Sequence, residues 1–242
     1  MQNRHFWLLL FSISLLFPLV SGYTDTSFTV TFQLSPDKVH VIEKTTFLLD
    51  GPEEKAAFSN SLRLGRSTVS DWKPYSRNID YHVYAPLVFV NTTRIVAKQD
   101  FSIQYKPAVV VVEYDANPSI LVKTVKSSRV TEYSVNASLL NLNTLAGGEI
   151  VLGNIEGLRF EVPEGDEFSK VQPDPTEKLR NYISFHGPLT SKFNVAFIQE
   201  KTLSEEVSGF FFDTFSNAAN LIPLLLLLAF LLFLWFKLVS DA

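Results

Sequence analysis

The chain has 242 residues, of which 46% are hydrophobic, and its 21 basic and 25 acidic side chains give a formal net charge of −4. This balance argues against nucleic acid or an anionic lipid surface as the main partner, because either requires a basic face. No cysteine occurs, so disulfides and thiolate metal sites are excluded. Stability must therefore come from an apolar core, and the lack of cysteine favours a prokaryotic surface.

The N-terminal segment has the three parts of a secretory signal. Arg4 and His5 form a basic region, residues 6–17 are almost wholly apolar, and Val20-Ser21-Gly22 offers a plausible cleavage site. We predict a signal peptide over 1–22 and a mature chain that starts near Tyr23. An uncleaved signal anchor is the alternative.

A second apolar segment lies near the C-terminus. Residues 218–236 carry no charge and are dominated by leucine, and their 19 residues would span roughly 28 Å as a helix. We predict a transmembrane helix there, with Trp235 and Lys237 at the interface and a cytoplasmic tail over 237–242. The predicted location is the plasma membrane or cell surface (the endomembrane lumen in a eukaryote), single-pass, with the N-terminal domain outside.

The segment before this apolar stretch has helical periodicity. Its apolar side chains fall on one face, which predicts a juxtamembrane amphipathic helix over 202–217. This face could lie in the membrane interface, pack on the ectodomain or meet a partner protein. The candidate membrane or partner contacts are Val207, Phe210, Phe211, Phe215 and Trp235.

The region between the two ends reads as strands. Phe28, Val30, Phe32 and Leu34 alternate with polar residues, which is typical of a half-buried strand. The run 108–112 is apolar without alternation and indicates a strand covered on both faces. Further strands are predicted at 39–49, 81–90, 93–97, 101–105, 119–125, 129–135, 150–152, 158–162, 168–171, 182–185 and 193–198, with one short helix over 52–62.

This spacing of strands and turns predicts a mainly β fold, an antiparallel β-sandwich over 23–201, plus the C-terminal transmembrane helix. The sandwich would form one large lobe or two small ones, with a split near 115–118. The motifs 162–165, 171–175 and 193–198, followed by a helix and a span, resemble archaeal single-pass surface proteins with a β-sandwich ectodomain and a C-terminal anchor. That family has no assigned activity, so the resemblance implies no catalytic residue.

No motif for catalysis, a metal or a cofactor emerges, and we predict none of the three. His40, His82 and His186 lack metal-ligand spacing. Ser35 and Lys38 match an S-x-x-K pattern, but the companion elements of penicillin-binding enzymes are missing and a turn is favoured. The acidic cluster 164–167 has no D-x-D-x-D loop and indicates a solvated turn rather than a calcium site.

Two sequons, at Asn91 and Asn136, mark candidate glycosylation acceptors. Four aromatic residues, Trp72, Tyr75, Tyr81 and Tyr84, belong either to the core or to an exposed site for carbohydrate or a partner.

The sequence as a whole predicts a membrane-anchored, non-enzymatic binding or structural module of the cell surface. One alternative is an accessory subunit of a membrane complex, with a protein partner in the membrane or envelope. The other alternative is a hydrolase, which would require a buried acid or histidine cluster in a cleft.

Overall fold

The computed structural model describes residues 23–99 and 107–202, together with scattered positions between 204 and 235. Within residues 23–99 and 107–202, its α-helices are α1 (Pro52–Arg63) and α2 (Val69–Trp72). The described strands are β1 (Thr24–Leu34), β2 (Val39–Leu48), β3 (Val88–Gln99), β4 (Ala108–Ala116), β5 (Leu121–Val125), β6 (Val130–Val135), β7 (Ile150–Leu152), β8 (Glu156–Glu161), β9 (Glu167–Gln172), β10 (Glu177–Lys178), β11 (Tyr182–His186), β12 (Leu189–Ser191) and β13 (Asn194–Glu200).

The strands form a seven-stranded, a four-stranded and a two-stranded sheet. Their orders are β10-β11-β8-β1-β2-β4-β3, β5-β6-β13-β9 and β12-β7. β1 and β8 run parallel, whereas the other paired strands are antiparallel. The mainly β prediction is confirmed, but the parallel pair departs from the purely antiparallel sheet that the sequence predicted.

The core forms because the predicted alternation buries one face of each central strand. Along β1, Phe28, Val30, Phe32 and Leu34 are at most 4% exposed. Phe32 stacks on Phe160 of β8, with ring centroids 5.5 Å apart. Burying such side chains contributes about 1.5–3 kcal/mol each, so this row is a main source of stability.

Strand β4 is buried on both faces near its start, as its unbroken apolar run predicted. Ala108, Val109 and Val110 are all at most 8% exposed. β4 lies between β2 and β3, so both of its edges are hydrogen-bonded as well.

The four-stranded sheet contributes to the same core. Tyr133 of β6 stacks on Phe197 of β13 with ring centroids 5.3 Å apart, and Phe197 is fully buried. The chain passes from β4 to this sheet through the 3₁₀ turn Pro118–Ile120, whose start is capped by the Asn117 side chain. The predicted strands 119–125 and 129–135 are confirmed as β5 and β6, which pair as an antiparallel hairpin.

Helix α1 matches the predicted helix 52–62. Pro52 opens it, and the Glu54 carboxylate accepts from the backbone N–H of Gly51 at 2.9 Å. Its Phe58 contacts Trp72 and Tyr75, which are 2% and 5% exposed. These two aromatic residues therefore belong to the core, whereas Tyr84 is 56% exposed.

The prediction of a C-terminal transmembrane helix has to be corrected. Among the residues that the structure describes, no helix is long and apolar enough to cross a membrane. A span needs about 20 consecutive apolar helical residues, and only six positions of 218–236 are described, all of them exposed. The rest of that segment lies outside the described residues, as do 1–22. The transmembrane part of the predicted fold class, and the single-pass membrane assignment that depended on it, are therefore wrong for this structure.

The predicted strand over 81–90 is also wrong for most of its length. Residues 85–87 form a 3₁₀ turn, and regular pairing begins only at Val88. Pro86 explains the difference, because it has no N–H for a strand ladder. The short strands β10 and β12 were not predicted. The predicted strand 101–105 lies outside the described residues.

Candidate functional site

A small cleft opens between the inner face of the seven-stranded sheet and the loop 76–84. Its cavity has a volume of about 150 Å³. The floor of the cleft is apolar, and its rim is polar. The lining residues are Phe28, Val30, Arg77, Asn78, His82, Asn141, Leu142, Asn143, Val151, Leu152, Glu156 and Gly157.

A buried carboxylate, Glu43, lies behind this wall. In β2 it occupies an inward position of the alternating pattern, between Val41 and Thr45, and it is 1% exposed. Its Oε1 accepts from the Tyr114 hydroxyl at 2.5 Å and from the His82 backbone N–H at 2.8 Å. Its Oε2 lies 2.9 Å from His82 Nδ1. Buried charges are expensive without such partners, so these three groups are what permits a carboxylate here.

The phenol of Tyr114 is fixed as a donor. Burial, and then the neighbouring Glu43 carboxylate, hold the pKa of Tyr114 well above its usual value. The ring is fully buried and packs edge-on against Tyr81, with centroids 5.0 Å apart. The hydroxyl also accepts from the His82 backbone N–H at 3.1 Å, so it ties the loop to β4.

The ring of His82 connects this buried network to the cleft. It lies against Phe28, with ring centroids 4.7 Å apart, and its side chain is 12% exposed. A carboxylate has only acceptors, so Nδ1 carries the proton that faces Glu43. In the neutral ring, Nε2 is then an acceptor, and no described residue hydrogen-bonds to it.

The loop that carries His82 is held at both ends. Ile79 and Val83 are 1% exposed and anchor it in the core. The backbone N–H of Asn141 donates to the His82 carbonyl at 2.9 Å, and the Asn141 side-chain Nδ2 donates to the Tyr81 carbonyl at 3.0 Å. The segment 139–143 is therefore fixed beside the loop, and together they form one wall.

A second acid, the half-buried Asp25, supports the same loop. Asp25 Oδ2 accepts from Ser76 Oγ at 2.7 Å and from Asn78 Nδ2 at 3.0 Å, whereas its buried Oδ1 has no partner. Burial raises the pKa of Asp25, and the two hydrogen bonds together with the nearby Arg77 charge offset only part of that rise.

The opposite wall is a tight turn before β8. Glu156 Oε2 accepts from the Gly153 backbone N–H at 2.8 Å. Gly187 packs directly on this turn: a Cβ there would lie 1.8 Å from the Gly153 carbonyl oxygen, so only glycine fits. The turn is thus held from both sides and presents Glu156 to the cleft.

A second histidine–carboxylate pair lies on the outer face of the sheet. His40 Nδ1 is 2.7 Å from Asp115 Oδ1, and Lys38 Nζ is 3.0 Å from Asp115 Oδ2. A wider surface groove of about 540 Å³ borders His40, Lys38 and Glu161. Burial raises the pKa of Asp115, but the hydrogen bonds from His40 and Lys38 outweigh it and leave that pKa below its usual value.

The two candidate glycosylation acceptors lie at irregular points. Asn91 is exposed where β3 loses register with β4, between Phe89 and Arg94. Asn136 caps a 3₁₀ turn, and its Oδ1 accepts from the Ser138 hydroxyl at 2.7 Å. Glycosylation at either site stays a prediction.

The predicted membrane or partner contacts are only partly described. Val207 and Trp235 are helical and exposed, whereas Phe210, Phe211 and Phe215 lie outside the described residues. Their role stays a prediction.

Two motifs that the sequence analysis did not assign to a function both lie in turns. Ser35 and Lys38 exchange backbone hydrogen bonds of 3.1 and 3.2 Å, so the turn that the sequence favoured is confirmed. In the acidic cluster, Glu164 is exposed and Asp166 is buried with Oδ2 unpaired. No group of three or more potential ligands that could hold a metal occurs within the described ranges.

The structure brings together residues that sequence reasoning did not connect. His82 appeared only in the metal-spacing test, and Glu43 and Tyr114 were not singled out. One signal was available: Glu43 shares the inward face of β2 with Val39, Val41 and Phe47, where a charge requires an explanation. Its partners lie 39 and 71 residues away, so they could not be read from local pattern.

Comparisons with known proteins give little guidance. No family model and no curated protein match the chain. Among solved structures, it is similar to the folded domain of the Mycobacterium tuberculosis protein LppM, with 7% identity and a TM-score of 0.35, covering 76% of this chain and 94% of that one. A likeness at this level supports neither a fold assignment nor a function.

Proposed function

We propose that this chain is an extracytoplasmic binding module that holds a compact polar ligand in the His82 cleft. The observation that carries the proposal is the convergence of His82, Arg77 and three asparagine side chains on one cavity with an apolar floor. A few placed polar groups on an apolar wall are typical of small-molecule sites.

The size of the cavity limits the ligand. At about 150 Å³ it matches a cavity that accommodates a molecule as small as benzene. A ligand of this size, or the end group of a larger one, fits between Phe28 and Leu142 while polar atoms reach the rim. Whole proteins or long polymers would contact only the outside of the cleft.

Acid–base catalysis in the same cleft is the second candidate, and the Glu43–His82 pair is the observation in its favour. A carboxylate that orients a histidine is the usual support of a general base. The described lining residues include no hydroxyl or thiol side chain, so catalysis would require a water or the Glu156 carboxylate as the attacking group, which binding does not. Binding is therefore the function that the wall supports better.

Ligand-observed NMR on the full-length chain, with a library of small polar compounds, tests the proposal. Asn143 is exposed on the rim, so Asn143→Trp should fill the cleft without disturbing the core. Asn181→Trp is the matched control, since Asn181 is exposed and lies in a turn outside the lining. We expect compounds that bind the wild type and Asn181→Trp but not Asn143→Trp. An absence of hits on folded protein, or hits that Asn143→Trp retains, would overturn the proposal.

A further inference from the structure

Three of the polar side chains around the cleft, Asn78, Asn141 and His82, have already used their donors on the protein, whereas Arg77 and Asn143, both exposed, donate to no other described residue. Asn78 Nδ2 donates to the Asp25 carboxylate and Asn141 Nδ2 donates to the Tyr81 carbonyl. Both partners are pure acceptors, so the orientation of each amide is fixed by chemistry rather than chosen. His82 Nδ1–H is likewise committed to Glu43.

On those three side chains, and on Glu156, only acceptor atoms remain unpaired. Asn78 Oδ1, Asn141 Oδ1, neutral His82 Nε2 and Glu156 Oε1 have no hydrogen-bond partner among the described residues. Asn78 as a residue is only 8% exposed, but its Oδ1 is not one of the fully enclosed unpaired atoms, so it stays accessible at a residue that lines the cleft. A ligand donor can therefore reach this oxygen and pair with it.

The charged groups near the cleft are mostly carboxylates, and their negative charge favours the same kind of ligand as the unpaired acceptors do. Glu156 lies on the wall, and Asp25 and Glu43 lie directly behind it. Arg77 is the exception, but it is exposed at the rim, and its charge acts on Asp25. A cationic donor therefore fits the interior better than an anion does.

Resting on the proposed function above, we infer that the ligand of the His82 cleft presents a primary ammonium group to Asn78, Asn141, His82 and Glu156. An ammonium has three N–H donors and a positive charge, so it can satisfy several of these acceptors together and is attracted by the Glu156 carboxylate. The apolar floor formed by Phe28, Val30 and Leu152 takes the carbon chain that carries the amine.

Three two-carbon probes separate the possibilities: ethanolamine, ethylene glycol and glycolate. The readout is the set of ring signals of the full-length chain labelled in histidine, at about pH 8, above the ordinary pKa of histidine. We expect ethanolamine to shift the His82 signals saturably and to bind at least about tenfold more tightly than ethylene glycol, which corresponds to about 1.4 kcal/mol. Glycolate should leave them unchanged.

Glu156→Gln should weaken ethanolamine binding about tenfold and leave the binding of ethylene glycol nearly unchanged. Glu164→Gln, which removes the same charge from an exposed turn outside the lining, should change neither. Saturable binding of glycolate or ethylene glycol in preference to ethanolamine would overturn the ammonium inference and leave the binding function standing. If no probe shifts His82 and the library also yields no hit that Asn143→Trp removes, both proposals fail.

Discussion

Two histidine–carboxylate pairs in this molecule have nearly the same geometry and different surroundings. His82 and Glu43 are 2.9 Å apart, with side chains 12% and 1% exposed. His40 and Asp115 are 2.7 Å apart, with side chains 32% and 17% exposed. The hydrogen-bond length alone therefore says little about the role of either pair. The two pairs differ in the partners that remain for each carboxylate when its histidine is removed.

In the outer pair, water and a neighbouring side chain can take the place of a partner that is removed. Asp115 is also held by Lys38, whose own side chain is 56% exposed, and solvent reaches all three groups. The inner pair has no such alternative partner, because among the described residues only His82 and Tyr114 hydrogen-bond to the Glu43 carboxylate. The first pair is a surface interaction, whereas the second orders a loop over a cleft.

The largest expected effect follows from removing each acid. Glu43→Ala should lower the free energy of unfolding by about 3–5 kcal/mol, because it leaves His82 and the Tyr114 hydroxyl buried without their acceptor. Asp115→Ala should cost about 0–1 kcal/mol, since its pair is solvated. Urea unfolding of both variants measures the two losses. Equal losses would show that burial does not distinguish the pairs.

A smaller effect is expected from single hydroxyl groups. Tyr114→Phe removes a hydrogen bond to a buried carboxylate and should cost about 1.5–3 kcal/mol. Tyr182→Phe is the matched control, because its hydroxyl donates to Glu177 at 2.6 Å in an exposed environment. Its loss should stay below about 1 kcal/mol. If Tyr182→Phe proved the more damaging of the two in urea, the network around Glu43 would not have the importance assigned to it.

The contrast between the pairs also shows what the sequence can predict. Strands β1, β2 and β4 follow from alternation or from an unbroken apolar run, because those patterns are local and burial enforces them. The parallel pairing of β1 with β8 joins segments more than a hundred residues apart, and no local pattern encodes it.

The candidate site was harder to predict for the same reason. Residues 81–87 are rich in aromatic and apolar side chains and mimic a strand, but Pro86 and the contacts to segment 139–141 hold them as a loop. That loop, rather than a strand, is what turns His82 towards Glu43. The acid was visible as a misplaced charge in β2, whereas its partners depend wholly on tertiary structure.

The smallest expected effect is the pH dependence of stability. It should have opposite signs for an acid on the outer face of the sheet and for an acid behind the cleft. Asp115 has a lowered pKa in the fold, so its contribution is present above the unfolded value, near 3.9, and is lost as the pH falls through the folded pKa. The stability gap between wild type and Asp115→Asn, below about 1 kcal/mol, should therefore close in acid.

Asp25, behind the cleft, should behave in the opposite way. Its pKa is raised in the fold, so ionising it disfavours the native state, and this penalty grows as the pH rises from the unfolded pKa through the folded one. Relative to wild type, Asp25→Asn should gain stability as the pH rises over that window, because an amide keeps an acceptor for Ser76 and Asn78 and carries no charge. Urea unfolding of both asparagine variants from about pH 3 to 7 would show two difference curves of opposite slope. Parallel curves would mean that the two acids experience the same environment and that the cleft side of the sheet is no drier than its outer face.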